Sequence, residues 1–197
     1  NVECEGGKVS YTVDYEGKQM LTRSALGLVA NYVDFSQNLT MGKLTDMGVE
    51  HVAYDESRIK KAHVEKDVVE AYIGFLNEKK DSMTLHLHVS NNDMAYHYEM
   101  IRPKKDNPKS VIIYKEVSGF NFPQQTTTFL CPQITPMTGW ERTKPSYEEE
   151  YTPDAPMNKK SQVVVGYTFP CLFKVGEDGW VLVSETGVSS AYPGSRL

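Results

Sequence analysis

The chain has 197 residues and a mass of 22.3 kDa, enough for one large domain or two small ones with a buried core, and too short for an ordinary (β/α)8 barrel of roughly 250 residues. Its 21 basic and 26 acidic side chains leave a formal charge of −5, and no basic run exceeds Lys-Lys, so the electrostatic footprint of a nucleic-acid binder is missing. No apolar stretch approaches the roughly 20 residues of a membrane span, and Asn1 opens a polar segment in place of a signal peptide, so the expectation is a soluble chain, mature or trimmed.

The first residues, with Cys4, read as a mobile stretch. Strand alternation then begins: Val9, Tyr11, Val13 and Tyr15 take one face, and Ser10, Thr12 and Asp14 the other, as in a half-buried strand. Glu16-Gly17 makes a turn into Lys18 to Leu21, and the short apolar run from Leu26 to Val29 continues a meander. The sequon Asn38-Leu39-Thr40 would carry a glycan only in a eukaryotic secretory setting. Alternating or apolar runs recur at Gly48 to Tyr54, Met83 to Val89, Met94 to Ile101, Val111 to Glu116, Thr126 to Cys131, Val163 to Phe169 and Trp180 to Ser184. Some nine short strands separated by polar turns predict an all-β sandwich or barrel.

Two segments need separate arguments. Val68, Val69, Tyr72, Ile73, Phe75 and Leu76 also fit an amphipathic helix, but their β-branched and aromatic content, and the Asn77 to Asp81 turn leading directly into an alternating run, favour a strand. Pro132 to Ser161 has no sustained period and carries five prolines, which predicts a long loop of the functional or disordered kind. Within it, the run Tyr147-Glu148-Glu149-Glu150-Tyr151 is acidic and flanked by aromatic residues that argue for ordering against a surface. No repeat and no Gly/Ser linker divides the chain, so residues 1–197 are read as a single domain.

Three cysteines without C-x-x-C exclude zinc-ribbon and thioredoxin readings. Cys131 and Cys171 end or open apolar runs, and are either a disulfide between neighbouring strands or buried free thiols. The sequence has no G-x-S-x-G, H-E-x-x-H, P-loop or Rossmann glycine pattern, which removes the commonest self-contained signatures of hydrolases, metalloproteases and nucleotide enzymes.

Two clusters remain. His86 and His88 lie two apart on a strand, hence on one face, and a tight turn around Asn91 to Asp93 brings His97 opposite one of them. Three imidazoles on one face could bind zinc or copper; Thr84, Ser90, Ala95 and Glu99 beside them equally describe a solvated sheet surface, with Met83, Leu85, Leu87 and Val89 supplying the core. In the acidic run, extended backbone points Glu148 and Glu150 one way and Glu149 the other, so at most two carboxylates converge. Calcium takes about six to eight oxygens, so this run could contribute one or two ligands to a site completed elsewhere, or be a solvated edge. A glycosidase needs two carboxyl groups about 5 to 10 Å apart flanking the scissile bond, which neighbouring strand residues do not guarantee.

Tyr11 to Tyr15 with Gly17-Lys18, then Ser24-Ala25-Leu26-Gly27-Leu28, resemble the opening of glycoside hydrolase family 97, with its "Y-x-V-x-Y-x-G-K" strand pair and "S-x-L-G-L" turn. In order, Leu85 to Tyr98 resembles the family's strand, "D-D-G" turn and "A-F-R-Y" strand, and Glu116 to Pro123 a segment ending "F-x-F-P". Ser146 to Thr152 resembles "S-Y-E-x-E-Y-T", and Glu185 through Tyr192-Pro193-Gly194 the "T-E-A-x-x-x-x-Y-P-G" close. The resemblance spans nearly all of the chain. It implies an N-terminal, galactose-mutarotase-like β-super-sandwich, that is a large antiparallel β-sandwich, whose catalytic (β/α)8 barrel and C-terminal domain lie outside the chain. It also implies an exo-acting α-glucosidase (inverting) or α-galactosidase (retaining) acting on α-linked oligosaccharides, calcium dependence, and a periplasmic or secreted bacterial setting.

The family's catalytic carboxylates belong to the barrel, so none is assigned here. Its one calcium-ligating glutamate from this domain falls on Glu148, or on Glu150 if the short match is shifted. Glu185 and Tyr192 are placed near the domain junction, as pocket wall or packing. Two departures stand out. Val64 to Phe75 replaces a polar "R-x-H-Y-N-E" stretch, and Asp93 replaces a turn glycine, which predicts turn strain. The rival reading is a free-standing carbohydrate-binding module that stacks sugars on Trp140 or Trp180.

Overall fold

A computed structural model describes residues 1–58, 60, 62–101, 110–133, 151–161, 165–190, 192 and 194–197. Among them there is no helix, and the strands pair antiparallel, so the all-β expectation holds. The chain forms two compact units: Asn1–Tyr11 with Arg23–Gly119, and Thr12–Thr22 with Phe120–Leu197.

β1 (Val2–Glu5) pairs with β2 (Lys8–Tyr15), and β2 is followed by β3 (Lys18–Leu26) in one three-stranded sheet; the unit boundaries fall within β2 and β3. The N-terminal stretch expected to be mobile is thus a strand, and the thiol of Cys4 donates to the carbonyl of Leu39 at 3.3 Å. What the sequence lacked was length: four residues carry little alternation, and the Gly6-Gly7 turn, with φ of 57° and 75°, makes the pairing. Ser10 is buried together with Val9 and Tyr11, so the start of β2 is covered on both faces rather than half-buried. A two-stranded sheet joins β4 (Leu28–Ala30) to β9 (Ile113–Glu116).

The four-stranded sheet runs β5 (Thr40–Asp55), β6 (His63–Leu76), β7 (Ser82–Val89), β8 (Met94–Met100). The ambiguous segment is therefore strand. Its register places Phe75 opposite Met83 and Ile73 opposite Leu85, all essentially removed from solvent. β5 pairs with β6 from Thr40↔Leu76 to Asp55↔His63, whereas β7 reaches only Val69↔Val89. Residues 50–55 and 63–68 consequently extend past β7 as a two-stranded arm. No residue of β5 is fully buried, in keeping with an edge strand broken by two register shifts.

In the second unit the sheet order is β11 (Thr152–Pro156), β10 (Thr126–Leu130), β12 (Cys171–Val175), β13 (Gly179–Val183). Strand β11 corrects the reading of 132–161 as loop throughout. It contains Pro153 and Pro156 and lies at the sheet edge, where a missing amide donor is tolerated. The strand expected at Val163 to Phe169 is not found in its described part. Residues 162–164 lie outside the described set, and Tyr167 makes only an isolated bridge to Pro132. Leu130, Cys171, Phe173 and Val183 form the buried cluster, packed by Phe120, Phe122, Tyr167, Phe169 and Val181. All three cysteines are free. Burial, then the neighbouring Cys131, pushes the Cys171 thiol up to about 11, and that thiol donates to the carbonyl of Thr168.

Candidate functional site

The sequence points to two glutamates of the acidic run, to Glu185 and Tyr192, and to three histidines. Glu148 and Glu150 lie outside the described residues, as does Trp140. Glu185 follows β13 and is half-buried; both of its carboxylate oxygens accept the Ser195 amide at 2.9 Å, and Oε2 also accepts the Ser195 hydroxyl at 2.7 Å. This carboxylate ties Ser195 to the residues that follow β13. Tyr192 closes a turn with Ser189 through two backbone bonds and is 73% exposed. Beside it, a side chain at Gly194 would meet Glu185 Oε1 at 3.1 Å, which explains a glycine at that motif position.

The histidine face forms as the turn length requires. His86 is the register partner of His97, and their rings stack at 4.6 Å with planes 5° apart; the His88 ring lies 5.8 Å from that of His97. Carboxylates hold the outer two imidazoles: Glu99 meets His86 Nε2 at 3.0 Å, and Glu70 meets His88 Nδ1 at 3.1 Å. Parallel rings aim their nitrogens side by side rather than at one point. No group of three or more His, Cys, Asp or Glu among the described residues forms a ready metal cage.

Desolvation, followed by the charges of His86 and His88, lowers the pKa of His97 from 6.5. A depressed base pKa means that the unfolded chain takes up the proton first. This contribution to stability is therefore fully present above about pH 6.5 and is lost as pH falls toward the lower folded value. Thermal melts should show His97→Gln gaining on the parent protein between about pH 7 and 5; a parallel pair of curves would refute the coupling.

Asp93 carries no strain, because it is not among the residues with positive φ. Its carboxylate instead pairs with Lys66 Nζ at 2.8 Å, and that bond lowers its pKa.

A group that sequence reasoning missed is a trio of tyrosines in the first unit. Tyr11 donates to the Gly119 carbonyl at 3.0 Å, and Tyr98 Oη accepts the Gly27 amide at 2.9 Å and bonds Ser118 Oγ at 2.7 Å. Tyr96 meets both rings edge-on. Burial raises the pKa of all three phenols, so they stay protonated at neutral pH. An open depression of about 320 Å³, lined in part by Asp34, Asn77 and Asp81, offers no free acid pair. Asp34 is taken by Ser36 and Gln37, and Asp81 by Asn77.

The whole chain, residues 1–197, matches the family described as Glycosyl-hydrolase 97 N-terminal. Among solved structures it is similar to a beta-arabinopyranosidase, at 46% identity and a TM-score of 0.89, over 100% of this chain and 31% of that one. It is also similar in fold to a Glycoside Hydrolase Family 97 enzyme from Pseudoalteromonas sp. strain K8. The complex of that enzyme with panose gives 17% identity and a TM-score of 0.70, and the complex with acarbose 16% and 0.67, each over 89% of this chain and 25% of that one. No match was found among curated proteins. The chain thus spans about a third or less of the length of these enzymes.

Proposed function

The chain belongs to the Glycosyl-hydrolase 97 N-terminal family and is the N-terminal domain of a glycoside hydrolase, and from that premise we propose that it serves a calcium-dependent, exo-acting α-glycosidase. It packs on the catalytic barrel of the same polypeptide and supplies Glu148, or Glu150, to a calcium ion whose other oxygens come from outside this chain. The observation that carries the reading is the likeness to the beta-arabinopyranosidase over the full chain, which occupies only 31% of that enzyme. A domain that small within the enzyme suits scaffold and wall rather than bond cleavage. Calcium supports the reading on chemical grounds: it needs about six to eight oxygens, more than two carboxylates on one extended run can offer. Bound there, calcium would polarise the scissile oxygen as a Lewis acid.

The substrate reading narrows by stereochemistry. In the L series a β-arabinopyranoside has the ring configuration of an α-galactopyranoside without its hydroxymethyl group, so the galactoside side of the family is favoured for this chain. A periplasmic or extracellular setting goes with this reading through the family resemblance.

The test is a Glu148→Ala variant of the full-length polypeptide, assayed on p-nitrophenyl α-glucoside, α-galactoside and β-L-arabinopyranoside across a calcium titration. The calcium concentration for half-maximal activity should rise about tenfold or more. A response like that of the parent would refute the ligand assignment, and the same shift in Glu150→Ala alone would move it two residues on.

A second reading has one observation in its favour. Trp180 is 55% exposed on β13, with its ring 5.1 Å from that of Phe129, a face on which a sugar could stack. Glycan retention by this chain alone, lost in Trp180→Ala, would support a binding module.

A further inference from the structure

The arm that β5 and β6 extend past β7 carries five chemistry-bearing side chains on one face. The register sets His51 opposite Asp67, Ala53 opposite Glu65, and Asp55 opposite His63. His51 Nδ1 lies 2.9 Å from Asp67 Oδ1, and His63 Nδ1 lies 2.9 Å from Asp55 Oδ1. An ionised carboxylate only accepts, so each Nδ1 is the donor, and in the neutral form of each ring Nε2 presents its lone pair. Both lone pairs face the same group: Glu65 Oε1 is 3.2 Å from His51 Nε2, and Glu65 Oε2 is 3.8 Å from His63 Nε2. Where a ring is neutral, lone pair faces lone pair, and a cation between them makes the contact favourable; for His51 the hydrogen bond to Asp67, then the charges of Asp67 and Glu65, raise the pKa from 6.5, so a proton competes for that position.

From this geometry we infer a site for a zinc-class divalent ion, held by His51 Nε2, His63 Nε2 and the Glu65 carboxylate. Asp67 and Asp55 orient the imidazoles from behind, as carboxylates do for metal-bound histidines. Zinc bonds of about 2.0–2.1 Å in a tetrahedron put neighbouring ligand atoms roughly 3.3 Å apart. His51 and Glu65 already stand at that spacing, and His63 must close by about half an ångström. The cage is not preformed. It assembles by rotation of side chains that are 58–82% exposed, above Ala53, whose small side chain leaves the centre open. Three carboxylates and no Lys or Arg occupy this face of the arm, since Lys66 points to the other face and pairs with Asp93. Its donor set differs from that of the calcium proposed above, which takes hard oxygen donors.

Metal-free protein titrated with Zn²⁺ by calorimetry and with Co²⁺ by visible absorption should bind one ion at micromolar concentrations, with the intense bands of tetrahedral Co²⁺. His51→Ala and His63→Ala should each weaken binding at least about tenfold, and Asp67→Asn by about tenfold. All three positions are exposed, so unchanged melting temperatures confirm folding. Binding weaker than about 0.1 mM, which leaves simple protonation of the histidines, overturns the assignment. So does binding that survives in a His51→Ala/His63→Ala double variant but disappears in His86→Gln.

Discussion

Gly27→Ala should destabilise the first unit by about 3 kcal/mol or more, as the sum of two effects of about 1–3 kcal/mol each. Gly27 has φ of +136°, a backbone region that disfavours any side chain. A methyl group there would lie 2.4 Å from the carbonyl oxygen of Phe35. The neighbour cannot retreat: the Phe35 amide donates to Leu28 O at 2.9 Å, the Val117 amide donates to Gly27 O at 2.8 Å, and the Gly27 amide is held by Tyr98. Gly17→Ala is the control, since φ is +76° but nothing stands within 4 Å, so only the backbone effect of about 1 kcal/mol remains. Urea denaturation of both variants checks the prediction; equal losses would show that the clash relaxes. The glycine of the Ser24 to Leu28 motif is thus explained by the approach of Phe35, and Ser24 of the same motif is fully buried.

Phe173→Ala is the second large effect, about 3–5 kcal/mol lost from the second unit. The ring is 3% exposed and stacks on Phe122 at 4.1 Å with planes 21° apart, over Leu130, Cys171 and Val183. Truncation leaves a cavity walled by strands β10, β12 and β13, whose paired backbones limit collapse. Phe173→Leu should lose less, because it refills part of the volume. A loss below about 1.5 kcal/mol in the alanine variant, read by denaturation, would mean that the Phe122 ring moves into the gap.

Much of the fold was legible along the chain because alternation of period two is a local property. Strands β2, β7, β8, β10 and β13 announce themselves by it, β6 only by its β-branched and aromatic residues and the turn that follows, and Glu16-Gly17, with φ of 49° and 76°, is the turn its residue types predict. That His97 faces one of His86 and His88 was legible too, since a tight turn joins the two strands; that it is His86 only the register shows. Strand β11 was hidden by Pro153 and Pro156, because only the sheet order reveals that it sits at an edge. Of the candidate site, the motif residues were visible but their partners were not. Glu185 finds Ser195 ten residues on through the path of a loop, which no spacing rule predicts.

The sequence by itself determined the class of the protein: strands, turns, the absence of a self-contained catalytic motif, and a family pattern spread over the whole length. Tertiary structure alone decided which faces are covered. Tyr11, Tyr96 and Tyr98 look like ordinary strand tyrosines until folding buries them around Gly27 and Ser118. His51, Glu65 and His63, unremarked in the alternating pattern, come together only because β5 and β6 outrun their neighbours. Burial and convergence belong to pairs of segments distant in the chain, and the free energy that fixes them is gained only when those segments meet.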